Sequence, residues 1–185
     1  MCTLYSLNKK NIDLLKNRKI FCDANVLIEV FSKVSPEPSS LQRDTSKIYS
    51  VIVKQKNLFV DFNVVSEFIN RTHRVQFAEW EQFENCKPGK ENQKLDYKKD
   101  FRNSREGKNT LNDIYTKVKT ILNHLQVVGK AFQGDDLEHF LQLDELDFVD
   151  KAIKSICHEH NMVLFTNDID FKNSGIDVLT ANLKF

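Results

Sequence analysis

The sequence predicts an α/β fold in which helices cover both faces of a central parallel sheet. Two observations predict it. Short apolar runs typical of buried strands recur along the 185 residues, and stretches with helical spacing of apolar residues separate them. Strands that alternate with helices usually pair in parallel, because each connection crosses over one face of the sheet. We therefore expect a three-layer α/β/α arrangement.

The strands are predicted from runs of aliphatic and aromatic residues. The first run ends in a carboxylate at Asp23, and a short run around Val127 predicts a small extra strand. The predicted strands are residues 18–23, 58–62, 126–128, 162–166 and 177–179.

Helices are predicted where apolar residues recur every three or four positions. Asn63 or Ser66 is the expected cap of the helix that follows the second strand. From about 85 to 108 the periodicity is lost, and this segment is expected to be a mobile insertion or the end of a helical hairpin. The predicted helices cover about residues 24–31, 41–56, 64 onward, 110–125, 135–143 and 144–160.

Composition excludes several protein classes. No apolar run approaches the roughly 20 residues that span a bilayer, and the first ten residues lack the pattern of a secretory signal. The four cysteines are scattered without a C-x-x-C pair, which argues against a zinc site and favours a reducing compartment. We expect a single domain over residues 1–185, located in the cytoplasm and without a membrane partner.

Charge is distributed unevenly although the net charge is only +1. Residues 87–108 contain eight Lys or Arg against four Asp or Glu, and residues 134–170 contain ten Asp or Glu against two Lys. Such runs are commonly solvated faces. The alternative is a phosphate-attracting surface in the first segment and an acidic metal site in the second.

Carboxylates recur near the predicted carboxyl ends of the strands, where parallel sheets bind ligands. Asp23 ends the first strand, and Asp168 follows a later strand by two residues. Glu67 lies near the start of the helix after the second strand, and Asp147 and Asp150 lie in the first turns of a later helix. Each also has an ordinary interpretation as a helix cap, a dipole partner, an ion pair or a turn residue.

A cluster of this kind has a chemical use. Crowded carboxylates repel and raise one another's pKa unless a cation neutralises them. Mg²⁺ and Mn²⁺ suit oxygen ligands, and such an ion acidifies a water molecule and offsets the charge of a phosphodiester under attack. The pattern therefore predicts a metal-assisted hydrolase.

Four sequence blocks occur in an order typical of one family. The blocks are Ile20–Leu27, Val64–Phe68, Leu146–Ile153 and Val163–Phe171. The first contains Asp-x-Asn, the second Ser-Glu, and the last resembles a Thr-x-Asp-x-Asp-Phe ending. Together they resemble the PIN domain, the metal-dependent ribonuclease fold also found in toxins of the VapC type. The resemblance covers about residues 18–180.

The resemblance implies roles for two sets of residues. The catalytic and metal-binding set is Asp23, Glu67, Asp150 and Asp168, with Mg²⁺ or Mn²⁺ as the cofactor. The supporting set is Asn25, Thr166, Asp147 and Asp170. The resemblance also implies a PIN-like sheet of about four or five parallel strands, with the basic segment 85–108 as an insertion.

The resemblance implies an endoribonuclease that hydrolyses RNA phosphodiester bonds. One biological role that it implies for such an enzyme is the toxin of a toxin–antitoxin pair. RNA, an antitoxin protein and a second copy of the chain are the candidate partners. The alternative is a catalytically inactive PIN-like protein that binds RNA or acts as a scaffold. Lys151 stands where the family pattern favours a small residue.

Two other Mg²⁺-dependent classes fit less well. A hydrolase similar to haloacid dehalogenases needs Asp-x-Asp after the first strand, where this chain has Asp23, Ala24 and Asn25. Receiver domains need a phosphoacceptor aspartate and a later lysine that the sequence does not place.

Because acids repel a phosphate backbone, RNA would be held by cations elsewhere on the surface. The RNA-binding candidates are Arg71, Arg74, Lys98, Lys99 and Arg102. Trp80, Tyr97 and Phe101 lie among these charges and are candidates to stack on unpaired bases. The alternative is that Trp80 and Phe101 are core residues.

Overall fold

The computed structural model describes residues 3–5, 12–32, 37–90 and 93–185. The chain divides into two compact units, one formed by residues 1–65 and 124–185 and the other by residues 66–123. The first contains a β-sheet, and the described part of the second is helical.

Six parallel strands form the sheet of the first unit, in the order β1-β6-β5-β2-β3-β4. They are β1 (Leu4–Tyr5), β2 (Lys19–Cys22), β3 (Leu58–Val60), β4 (Gln126–Val127), β5 (Met162–Phe165) and β6 (Val178–Leu179). The predicted α/β class and parallel sheet are confirmed, and the architecture is compatible with three layers. The expectation of four or five strands was too low, because β1 pairs with β6 and was not predicted.

Six α-helices of the described residues follow the strands or connect them. They are α1 (Ala24–Phe31), α2 (Ser40–Ile52), α3 (Phe62–Asn85), α4 (Arg105–Leu122), α5 (Gly134–Phe140) and α6 (Phe148–Glu159). The short helices are two 3₁₀ turns, Val53–Gln55 and Ile169–Asn173, and the π-helix Tyr97–Arg102. In the part of the chain described, no helix is long and apolar enough to cross a membrane.

The two central strands of the sheet, β2 and β5, are buried. Every residue of β5 is buried, and β2 is buried apart from Lys19 at its start. Strands buried on both faces are continuous apolar runs, because both faces contact apolar neighbours. For this reason the sequence revealed these two strands clearly.

The strand predicted at residues 58–62 is shorter in the structure, where it is β3. β3 stops at Val60, and α3 begins at Phe62, so Asp61 is the residue between them. The Asp61 Oδ1 atom accepts a hydrogen bond from the backbone N–H of Val64 at 2.8 Å and caps the helix. The predicted cap, Asn63 or Ser66, is therefore wrong.

The core of the second unit surrounds two buried aromatic side chains, His73 and Phe101. Their ring centroids are 5.1 Å apart, and the Trp80 ring lies 5.2 Å from that of Phe101. The His73 ring bonds through Nδ1 to the Tyr97 hydroxyl at 2.7 Å and through Nε2 to the Gly107 carbonyl at 3.0 Å. The imidazole thus connects α3 to the π-helix and to the start of α4.

The start of α4 comes close to the π-helix at Gly107. A Cβ atom at this position would lie 2.0 Å from the carbonyl oxygen of Phe101, which is backbone and cannot rotate away. Only glycine allows α4 to start this close to the π-helix.

We predict that Gly107→Ala lowers the free energy of unfolding by about 2 kcal/mol or more, because the added methyl forces the backbone apart. Gly134→Ala is the matched control, because a Cβ there meets nothing within 4 Å. Urea unfolding with Trp80 fluorescence measures both. Equal stability of the two variants would contradict the close packing at Gly107.

Candidate functional site

Two aspartates follow neighbouring strands at the carboxyl edge of the sheet. Asp23 comes directly after β2 and Asp61 directly after β3, and the parallel register pairs Phe21 with Phe59. Each aspartate lies two residues beyond its paired phenylalanine, so both occupy the same level of the edge. Both side chains are buried.

The Asp23 carboxylate is held by three donors. Its Oδ1 accepts the backbone N–H of Ala24 at 2.5 Å, as an N-cap does. Its Oδ2 accepts the Asn25 side-chain amide at 2.7 Å and the Thr166 hydroxyl at 2.6 Å. Thr166 directly follows β5, the other neighbour of β2. The predicted supporting residues Asn25 and Thr166 therefore both contact Asp23.

The same contacts fix the segment that carries Asp168. The Thr166 hydroxyl accepts the backbone N–H of Asp168 at 3.0 Å, and the Asn25 side-chain oxygen accepts that of Asn167 at 3.1 Å. Asp168 in turn accepts the backbone N–H of Asp170 at 3.1 Å and caps the 3₁₀ turn that follows. Asp168 is thus a turn residue tied to the Asp23 network, whereas Asp170 is exposed.

Asp150 lies in the first turn of α6 and carries the clearest electrostatic signature. Its pKa is raised to about 7, first by partial burial and then by the negative charges of Asp147, Asp23 and Asp168, in that order of importance. A hydrogen bond that the Asp150 carboxylate accepts from the backbone of Asp147 lowers the pKa but does not offset these effects. The structure therefore brings four of the predicted acidic residues into one electrostatic neighbourhood.

The residues next to Asp150 have structural roles. The Asp147 Oδ1 atom caps α6 by accepting the backbone N–H of Asp150 at 2.8 Å. The helix therefore begins at Phe148 and not at Asp144 as predicted, because Asp147 is itself the N-cap. The Lys151 ammonium is buried and pairs with Asp144 at 3.2 Å. It also donates to the carbonyl of Phe140. Lys151 thus anchors the chain that leads into α6.

Asp61 was not among the predicted site residues. Only 4% of it is exposed, and burial raises its pKa despite hydrogen bonds from Val64 and Asn63. Burial raises the pKa of the Cys157 thiol, and the negative charges of Asp23 and Asp61 raise it further. The sequence signal that identified Asp23 also applies to Asp61, because both acids directly follow an apolar run.

Glu67 belongs to the second unit, which begins at Ser66. It lies on α3, and its Oε1 atom pairs with the Arg71 guanidinium at 3.1 Å, four residues further along the helix. Both side chains are well exposed, so the pair contributes little to stability.

The predicted RNA-binding residues lie in different surroundings. Arg71 is paired with Glu67, and the Arg74 guanidinium lies 4.9 Å from the centroid of the Tyr97 ring. Phe101 is only 1% exposed, so the core interpretation is confirmed for this residue and stacking on a base is excluded. The exposed cations of the π-helix are Lys98, Lys99 and Arg102.

The edge of the sheet carries carboxylate oxygens, the type of ligand that hard divalent ions prefer. Within residues 3–5, 12–32, 37–90 and 93–185, no three His, Cys, Asp or Glu side chains form a group that could hold a metal by themselves. Mg²⁺ commonly takes only one or two protein carboxylates and completes its shell with water and phosphate oxygens. Asp23, Asp150 and Asp168 offer carboxylate oxygens, and the raised pKa of Asp150 indicates negative charge that a cation would offset.

We predict that Asp150→Asn stabilises the metal-free protein above neutral pH. Because the folded-state pKa of Asp150 is raised, its contribution to stability is full below about pH 4 and is lost as the pH rises through about 7. The variant should match its parent near pH 4 and exceed it by about 1–2 kcal/mol at pH 8, after allowance for solvent screening.

Urea unfolding in EDTA across this range measures the difference. The matched control is Glu145→Gln, which removes an exposed carboxylate from the loop before α6. A difference between Asp150→Asn and its parent that does not change with pH would contradict the raised pKa.

Comparisons with known proteins do not identify a relative of this chain. No protein-family model, no curated protein and no solved structure matches it. The case for a function therefore depends on the carboxylates at the sheet edge and their surroundings.

Proposed function

We propose that this protein is a divalent-metal-dependent endoribonuclease that hydrolyses RNA phosphodiester bonds at the carboxyl edge of its sheet. The observation that carries the proposal is the pKa of Asp150, raised to about 7 by burial and by the charges of Asp147, Asp23 and Asp168. Carboxylates that repel in this way are stabilised by a bound cation. The order of the motifs around them, which resembles that of PIN domains, supports RNA as the substrate.

Asp23, Asp150 and Asp168 are the residues that would hold Mg²⁺ or Mn²⁺. When bound, the ion supplies a more acidic water molecule and neutralises charge on the phosphodiester. Asn25 and Thr166 fix the Asp23 carboxylate through the two hydrogen bonds to its Oδ2 atom. The site is thereby organised before substrate binds, which lowers the cost of ordering it during the reaction.

A bound cation would keep Asp150 ionised, because its positive charge offsets the neighbouring carboxylates that help to raise the pKa of Asp150. The overall reaction adds one water across the phosphodiester and gives one phosphate monoester end and one hydroxyl end.

Large apolar side chains are exposed next to the acids of this edge. Phe62 follows Asp61 and is 79% exposed, and Ile169 follows Asp168 and is also exposed. An exposed phenyl ring provides a face on which an unpaired base can stack. This pairing of acids with apolar neighbours supports a nucleic acid over a small phosphate ester.

A catalytically inactive PIN-like protein that binds RNA or acts as a scaffold is the second candidate. One observation favours it, namely that no three acidic, His or Cys side chains of the described residues form a group able to hold a metal alone. Turnover separates the two functions, because a scaffold binds RNA and leaves it intact.

The biological setting stays a prediction from the sequence. The role of a toxin, an antitoxin partner, a second copy of the chain and a cytoplasmic location all follow from the resemblance and the composition. A small neighbouring gene that encodes an antitoxin would favour the toxin role over RNA processing.

We predict that Asp23→Asn and Asp150→Asn each lower the rate of RNA cleavage by at least about 100-fold, because each removes a metal-binding carboxylate. EDTA should abolish cleavage by the parent, and Mn²⁺ should restore it at a lower concentration than Mg²⁺. Gel analysis of end-labelled RNA measures the rates.

Glu145→Gln is the control and should cleave like the parent. Full activity in both aspartate variants, or cleavage that persists in EDTA, would overturn the proposed function.

A further inference from the structure

The surface of α4 is divided by charge. At 100° per residue, the helix has a buried face and two polar faces on either side of its exposed half. The buried face is Gly107, Ile114, Val118 and Ile121. One polar face is Glu106, Asp113 and Lys117. The other, here called the cationic stripe, is Arg105, Lys108, Asn112, Tyr115 and Lys119.

The cationic stripe contains three positive charges and no acid. All of its side chains are exposed, including Tyr115 at 47%. Among the described residues, none of its three cations forms an ion pair with a carboxylate, whereas Lys87 and Lys90 of the same unit both pair with Glu84. From Arg105 to Lys119 the stripe is about 21 Å long.

We propose that the cationic stripe is a binding surface for single-stranded RNA, an inference that deepens the proposed function and rests on it for the class of substrate. Exposed cations without a paired carboxylate can each contact a phosphate and release its counterions. Tyr115 lies between Lys108 and Lys119 along the helix, so a base can stack on its ring while flanking phosphates contact the lysines. Single-stranded RNA exposes the faces of its bases, which a duplex does not.

The separation of charges argues against a merely solubilising surface. Such surfaces mix the two signs, as the other polar face of α4 does with Glu106, Asp113 and Lys117. On the cationic stripe, by contrast, the residues between the cations are Asn112 and Tyr115, which can bond to base edges and stack on base faces. The stripe shares Arg105 and Lys108 with the basic segment 87–108. It does not include the predicted candidates Arg71, which is ion-paired, and Phe101, which is buried.

Binding of a fluorescently labelled single-stranded RNA, measured by anisotropy in EDTA so that no cleavage occurs, tests the inference. At 0.1 M salt each lost phosphate contact weakens binding about fivefold, so Lys108→Gln with Lys119→Gln should raise Kd about 25-fold. The slope of log K against log salt should fall by about 1.4.

The matched control is Lys87→Gln with Lys90→Gln, which removes the same charge from lysines already paired with Glu84. It should change Kd by less than about threefold, because it removes no phosphate contact. Thermal unfolding checks that each variant is folded.

The tyrosine is tested separately from the charge. Tyr115→Ala should raise Kd about fivefold or more, because it removes the stacking face, and Tyr115→Phe should bind like the parent. A Tyr115→Phe variant as weak as Tyr115→Ala would exclude stacking and overturn this part of the inference.

Three results would overturn the stripe as the binding surface. They are no RNA binding by the parent, a loss in Lys98→Gln with Lys99→Gln but not in the stripe variant, and equal affinity for duplex and single-stranded RNA. Cleavage by the parent with unchanged binding by the stripe variant would contradict this inference alone. Binding through the stripe without cleavage would contradict the nuclease alone.

Discussion

Repulsion between carboxylates at one edge of a parallel sheet is the interaction on which the candidate site of this protein depends. In a parallel sheet all strands end on the same side, so a residue that follows one strand lies beside the residue that follows the next. The register of β2 with β3 and β5 places Asp23 level with Asp61 and Thr166. Asp150 lies on α6, and its pKa is raised first by burial and then by repulsion from Asp147, Asp23 and Asp168.

Hydrogen bonds hold this arrangement despite the repulsion. Asp23 accepts three of them, and the Thr166 hydroxyl donates to Asp23 while accepting from the backbone of Asp168. Asn167 extends the network, because its side chain donates to Thr45 and accepts from the backbone of Ala181. Charge-assisted bonds of this kind are strong enough to keep like charges close together in the folded state.

The sequence predicted the parts of this site that local pattern determines. Asp23 adjoins a strand buried on both faces, and such strands are recognisable as continuous apolar runs. The supporting role of Thr166, which follows the similarly buried β5, was implied only by the resemblance. Asp61 was missed because the apolar run continues into Phe62, which the structure places at the start of α3 and exposes. β1 was missed because two residues carry no periodicity, and its place depends on pairing with β6.

In the helical unit, contacts between residues far apart in the sequence determine which side chains are buried. Phe101 stands among lysines and was considered for an exposed role, yet contacts with His73 and Trp80 bury it. Such contacts connect α3 to the π-helix and are not visible in local composition. The pairing of Glu67 with Arg71 was not predicted, although the two residues are spaced one helical turn apart.

The most direct test of the central claim is the titration of the Asp150 carboxyl carbon by ¹³C NMR, with and without Mg²⁺. In EDTA we predict a midpoint near pH 7, because burial and the charges of Asp147, Asp23 and Asp168 oppose ionisation. With Mg²⁺ bound, the midpoint should fall by at least about one pH unit, since the cation favours the ionised form. A midpoint near pH 4 that does not respond to Mg²⁺ would contradict both the repulsion and the metal site.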